Sequence, residues 1–266
     1  MHTLTSLQKR TAFSRDFRNL AESLTMGALR ELELTPKPGL VDRLDNGSHP
    51  DLSYELMELS VMLLPRYYEE LALCLYDGGS ISELRAVGMA AEKRMMQKCQ
   101  SNTHKGFIFL SGLVLLSHIV FEDIRTGISE LSEEFFSNPL PESNGSSVRR
   151  NFHTGGIKLE CLEGLPSVFE AGIPALNRRP DNPHYALACI MERADDSTSI
   201  HRCGMEGLKI VRRDGAELKK LIEEGEPAEK WLAARNEYYR SINLTMGGCA
   251  DLLALSFALK DFNRSQ

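Results

Sequence analysis

Four short segments of this 266-residue sequence carry far more polar and backbone-special residues than their surroundings. Local rules usually fail where a site is being built. The first segment, from Thr35 to Asp51, reads TPKPGLVDRLDNGSHPD. Two prolines fix φ on either side of Lys37 and stiffen the backbone that carries its ammonium. Such a loop can hold Lys37 and Arg43 against phosphate oxygens while Asp42, Asp45 and Asp51 face a divalent ion. Asp and Asn also form turns, so the same residues would serve a plain helix-to-helix connection with Asp51 as a cap.

The second segment, Asn102-Thr-His-Lys-Gly106, stands directly before the most apolar stretch of the chain. Free N–H groups at a helix start, with Lys105 beside them, would attract an anion; Asn102 or Thr103 as an N-cap is the plainer reading. In the third, Asp195 and Asp196 precede Arg202, a set suited to metal or ribose binding with a phosphate clamp, or to a solvated helix end. His184, ahead of it, reads as a cap-region side chain. The fourth runs from Asn243 through Gly247 and Gly248 to Asp251. A Gly-Gly pair entering a helix lets backbone approach a ligand, and Asp251 in the first turn could bind a cation or simply complement the helix dipole. No GxxxxGK[ST], HExxH, CxxC or GxSxG occurs. These residues alone describe a helical enzyme for a phosphorylated ligand and a divalent cation.

The elements that must position these segments are helices. Phe17, Leu20, Ala21, Leu24, Ala28 and Leu32 recur at three- and four-residue steps up to Pro36. A second helix is predicted from about Asp51, with Pro65 a kink or break, and Ser80-Ile-Ser-Glu83 reads as a capping box opening a helix toward Lys98. Phe107 to Phe121 is apolar all round, which places it at the centre of a bundle. Asn182-Pro183 reads as an N-cap and first helical residue of a helix to about Arg193. Further helices are predicted at 205–222, 227–240 and 249–262. Val168–Phe169 and Ile210–Val211 are the best β-prone pairs, and both lie in helical patterns. The expected fold is all-α: one domain over 1–266, a multi-helix bundle around a central apolar helix, with a long loop near 137–156.

Thirty-one basic against 37 acidic residues leave a charge of −6, and 42% hydrophobic with 26% charged residues is an ordinary globular mix. That excludes a disordered tail and a nucleic-acid binder held by bulk charge. The six scattered cysteines predict a reducing compartment without disulfides or a zinc site. With no apolar segment of about 20 residues and no signal-like N-terminus, a cytoplasmic protein without membrane contact is expected.

Taken in order, the four segments resemble the triphosphoribosyl-dephospho-CoA synthase family over residues from about 25 to 260. The match lies in TPKPGLVDRLDNGSH, then NTHKG before an apolar helix, then D-x5-R-x-G, then N-L-x-x-G-G-x-A-D-L-L-A. Family members usually read G-x-R-G-E-A-x-x-G-F near the middle, where this chain has Gly156 to Leu165; Lys158, Glu160 and Gly164 keep their character there. Leu159, Thr198, Cys203 and Met246 depart from the usual residues, and the altered positions are expected on the acceptor side of the site.

The resemblance implies an all-helical transferase. It would join the triphosphate-bearing ribose of ATP to the 2′-hydroxyl of 3′-dephospho-CoA and release adenine. Such a reaction passes through an oxocarbenium-like state. It must neutralise a triphosphate, protonate the purine and deprotonate the attacking hydroxyl. The implied phosphate and substrate contacts are Lys37, Arg43, Asn102, Lys105, Lys158, Glu160, Arg202, Asn243, Gly247 and Gly248. Mg²⁺ would be held by some of Asp42, Asp45, Asp196 and Asp251, with the remaining carboxylates, chiefly Asp42 and Asp196, as bases or ribose anchors. His49 and His104 would shuttle protons. ATP and dephospho-CoA are the expected partners, with a homodimer allowed. A different acceptor, or a non-catalytic nucleotide-binding regulator, are the competing readings.

Overall fold

The computed structural model describes residues 15–137 and 155–264, and among the described residues every regular element is a helix. Helix α1 (Arg15–Glu33) turns Phe17, Leu20, Leu24, Ala28 and Leu32 inward. Helix α2 (Tyr54–Val61) opens at Ser53, whose hydroxyl accepts the Leu56 N–H. That start lies later than the predicted Asp51, because the Asp51 carboxylate is taken by the Ser101 hydroxyl instead of capping. The chain breaks at Met62 and Leu63, and α3 (Leu64–Tyr76) begins with Pro65 in its first turn, where the missing N–H costs nothing. The capping box forms as read: Ser80 and Glu83 exchange side-chain and backbone bonds at the head of α4 (Ile81–Cys99).

Helix α5 (Lys105–Val120) is the apolar stretch, with residues from Phe107 to Ile119 buried around nearly its whole circumference. It packs against α1, α3 and α4 and meets α6 (Ile124–Ser137). The long loop predicted near 137–156 falls almost wholly on 138–154, outside the described residues. Helix α7 (Gly156–Leu162) leads to a π-helical turn, Ser167–Gly172, that runs directly into α8 (Ile173–Arg178). Helix α9 (His184–Arg193) starts at His184 with Pro183 in the cap position, one residue on from the prediction.

Helix α10 (Ser197–Glu224) is two helices joined at Gly204, whose φ of 65° and ψ of −164° belong to neither. The helix predicted from 205 is its second half. Helices α11 (Glu229–Ser241) and α12 (Gly247–Arg264) complete the chain. A single buried apolar cluster reaches from Phe17 on α1 to Phe262 on α12. These two helices are pressed together so closely that a Cβ at Gly27 would overlap the Ala254 carbonyl oxygen. Among the described residues no single helix is long and apolar enough to cross a membrane.

Candidate active site

The Thr35–Asp51 loop is a folded object with its own hydrogen bonds. Asp42 is buried, and its carboxylate accepts the backbone N–H of Lys37 (2.7 Å), of Leu44 (2.7 Å) and of Asp45 (3.4 Å). Asp45 accepts the Gly47 N–H at 2.7 Å and the Asn236 amide of α11 at 2.8 Å. Both carboxylates are therefore engaged in shaping the loop. Gly39 and Gly47 hold positive φ, and a Cβ at Gly47 would press into the Gly39–Leu40 backbone. From α9, the His184 ring lies 2.9 Å from the Pro36 carbonyl oxygen. This histidine anchors the loop as well as beginning its helix.

Inside the loop, Lys37 is 1% exposed. Its ammonium donates to the Glu31 carbonyl at 2.6 Å and to the Glu31 carboxylate at 2.5 Å. Glu31 is 4% exposed and stands in the apolar stripe of α1, between Ala28 and Leu32. Burying such a pair is costly and is tolerated when hydrogen bonds complete it. Sequence reasoning missed Glu31; its signal was an acid at a core-facing register position.

Two further groups face this pair. His104 stands at the N-terminus of α5, buried, with Nδ1 2.6 Å from the Ser60 hydroxyl oxygen and Nε2 without a partner among the described residues. Burial and then the Lys37 charge push its pKa down to about 4, so the ring is neutral at pH 7. Asp251 stands in the second turn of α12, not the first as expected, because the helix already begins at Gly247; it accepts no hydrogen bond from any described residue. Burial, then Glu31, then Asp196 raise its carboxyl well above the usual carboxylate range. A Cβ at Gly106 would overlap that carboxylate, so Asp251 lies against the first turn of α5. Asp196 itself caps α10: it accepts the Ser199 N–H and the Thr198 hydroxyl, and its other oxygen takes the Cys249 N–H at 2.8 Å. A Cβ at Gly248 would crowd that oxygen, at 2.9 Å. The glycine pair thus lets α12 approach Asp196.

The loop's other side opens on a cleft of about 830 Å³, lined by Asp45 to Pro50 on one wall and Glu237, Arg240, Ser241 and Asn243 on the other. His49 contacts the Thr245 hydroxyl at 2.9 Å; burial, then Arg202, lower its pKa, against the pull of Asp51. Arg202 donates to Asn243 at 2.6 Å and reaches the Ser48 carbonyl at 3.5 Å. All four segments therefore meet around one loop.

Some predicted contacts lie further out. Arg43 is exposed, paired with Glu33 and set over the Tyr54 ring. Asn102 is exposed, and neither it nor Thr103 caps α5, a position His104 holds without a side-chain cap bond. Lys105 pairs with Glu92 at 3.2 Å, and Lys158 stands over Phe136. Glu160 accepts the Ser167 N–H and hydroxyl, fastening the π-helical turn, and burial raises its pKa. None of Leu159, Thr198, Cys203 and Met246 lines the cleft; Met246 is wholly buried and the Cys203 thiol rests on the Ile242 carbonyl.

The family model described as ATP:dephospho-CoA triphosphoribosyl transferase matches residues 17–137 and 128–266. The chain belongs to this transferase family. It is 30% identical to the 2-(5''-triphosphoribosyl)-3'-dephosphocoenzyme-A synthase of Haemophilus ducreyi, over 89% of this chain and 86% of that one. It is 32% identical to the "Probable 2-(5''-triphosphoribosyl)-3'-dephosphocoenzyme-A synthase" of Pseudomonas putida, over 89% and 91%. No solved structure matches it. The resemblance carried by the four segments is thus a family membership, and these segments are the ones the fold gathers.

Proposed function

We propose that this transferase moves the triphosphoribosyl group of ATP to the ribose 2′-hydroxyl of 3′-dephospho-CoA. The bond from C1′ to the purine nitrogen breaks and a bond from C1′ to the acceptor oxygen forms. The hydroxyl proton is lost to a base, and adenine leaves after gaining a proton. The observation that carries the reading is the convergence of the four family segments on the Lys37 loop, from α1, α5, α10 and α12.

Mg²⁺ is the expected companion of the triphosphate. Among the described residues no three His, Cys, Asp or Glu side chains form a metal cage. Mg²⁺ does not need one: it commonly takes one or two carboxylates plus phosphate oxygens and waters. Asp251 fits that use, since its carboxylate has no donor among the described residues and faces Glu31 and Asp196, three carboxyl groups against the single Lys37 ammonium. Bound there, the ion would offset the charge of the phosphates. Lys37 then adds positive charge close by, while Asn243 and His49 border the open cleft, where the longer acceptor would enter, and Arg202 holds Asn243. His104 Nε2, unengaged by any described residue, can accept a substrate N–H or donate its own, according to which ring nitrogen carries the proton.

The test is chromatography of the purified protein with ATP, Mg²⁺ and dephospho-CoA. Free adenine should appear in proportion to modified acceptor and should vanish without Mg²⁺. Release of ADP or AMP, and never adenine, would overturn the reading. Replacing Asp251 with Asn should lower kcat by about 100-fold or more while leaving the fold intact.

A further inference from the structure

We propose that Asn236 is a positioning residue: it ties the Lys37–His49 loop to α11 and sets the width of the cleft, with Asp45 as its anchor and not as a cation ligand. The proposal rests on the loop belonging to the active site, as argued above.

Asn236 stands on the inward stripe of α11, between Leu232 and Tyr239, and is 9% exposed. Its carbonyl oxygen accepts the Gly39 N–H at 2.9 Å and its amide nitrogen donates to Asp45 at 2.8 Å. Those partners fix the amide's orientation, because a backbone N–H only donates and a carboxylate only accepts. One side chain thus grips both limbs of the loop, which also meet each other through Ser48 N–H on the Gly39 carbonyl and Asp42 N–H on the Asp45 carbonyl. Gly39 cannot drift: a Cβ there would already stand 2.5 Å from the Leu244 carbonyl oxygen and 2.9 Å from the Tyr239 ring.

The cleft explains why this grip concerns function. Asp45 to Pro50 form one wall, and Glu237 and Arg240, on the same helix as Asn236, form the other. A strut from Asn236 to Asp45 therefore fixes the distance between the two walls. The Asp45 oxygens are occupied by Gly47 N–H, by Asn236 and, at 3.5 Å, by Arg240. A residue so placed acts through others, by holding reacting groups to within an ångström.

A reciprocal exchange tests it. Asn236→Asp sets two carboxylates against each other; Asp45→Asn removes the acceptor that the Asn236 amide needs. The double variant carries both changes and reverses the polarity of the strut. The carboxylate introduced on α11 can accept both the Gly39 N–H and the amide introduced on the loop, whose own oxygen still accepts the Gly47 N–H. Each single variant should lower kcat/KM for adenine release by about 10- to 100-fold, chiefly through KM of the acceptor. The double variant should return to within roughly 3-fold of the parent. Should Asp45→Asn stay inactive whatever stands at position 236, Asp45 acts in its own right and the strut is refuted. The same holds if Asn236→Asp keeps full kcat/KM, or if all losses merely follow a lowered Tm. If the parent protein releases no adenine, the functional reading fails separately. Hydrogen exchange of the 37–49 segment then decides: faster in Asn236→Ala and in both singles, and slow again in the double.

Discussion

His104 is a histidine that the fold keeps neutral, and that has a thermodynamic consequence. Its pKa in the folded protein is about 4, against about 6.5 for a free imidazole. Between those values the unfolded chain binds a proton that the native one refuses. The contribution is therefore neutral above pH 6.5, and stability is lost as pH falls from 6.5 toward 4, by up to about 3 kcal/mol in all. Urea denaturation across that range should show the loss, and His104→Gln, which cannot titrate, should flatten it. The second expectation concerns Gly106. Because a Cβ there would overlap the Asp251 carboxylate, Gly106→Ala should displace Asp251 and cut turnover by about 100-fold. It should cost no stability, since Ala suits a helix better than Gly; circular dichroism melts and steady-state rates separate the two effects. At this scale the sequence named Lys37, His49, Arg202 and Asp251 as chemistry, and the structure brings them to one loop. It was silent on Glu31, Asn236 and Asp214, which share one signature: a polar residue where the helical period calls for an apolar one. Asp42 and Asp45 illustrate the converse. Their carboxylates serve backbone N–H groups, a use that spacing alone does not distinguish from cation binding.

Among the elements, α10 shows what periodicity can and cannot convey. The second half was legible from 205 onward, but the helix begins at Ser197, capped by Asp196. The two halves join through Gly204 in a backbone region essentially closed to other residues. Arg202 sits just before that joint and reaches Ser48 and Asn243 from it. Gly204→Ala should therefore cost about 1–3 kcal/mol in strain, although nothing lies within 4 Å of the missing Cβ. It should also weaken substrate binding by re-aiming Arg202; equilibrium unfolding and KM measured on one preparation check both. Further along α10, buried Asp214 takes Arg235 of α11 at 2.5 Å and Arg213 at 3.1 Å. Asp214→Ala leaves two guanidinium groups short of a partner and should destabilise the protein by about 3–5 kcal/mol, Arg213 being largely exposed and contributing the smaller share. That loss would appear as a drop in the urea midpoint.

For the molecule as a whole, the helical class and the central place of α5 followed from composition and period, because a helix apolar on every side can only be interior. The pairing of α1 with α12 did not follow, since nothing local in either helix records a partner more than 200 positions away. Gly27 is the exception in hindsight: a glycine inside a helix costs stability unless close packing requires it. Gly27→Leu should force the α1–α12 contact apart, costing about 1–3 kcal/mol or more and lowering turnover, because Glu31 and Asp251 sit on those two helices. Thermal unfolding, together with kcat at a temperature where the variant is folded, tests the two parts.

The strut through Asn236 also bears on how the chain is made. Gly39 and Asp45 are held by a residue 197 and 191 positions later. During synthesis the loop is complete long before α11 leaves the ribosome, and until then its internal hydrogen bonds lack the outside grip that holds its two limbs in place. Contacts so distant along the chain form slowly, after the local helices. Nucleotide supplied to a growing chain would thus find nothing assembled to hold it, and should fail to rescue early intermediates. In refolding, the ability to bind substrate should arrive after helical circular dichroism has recovered, as the last property the molecule acquires.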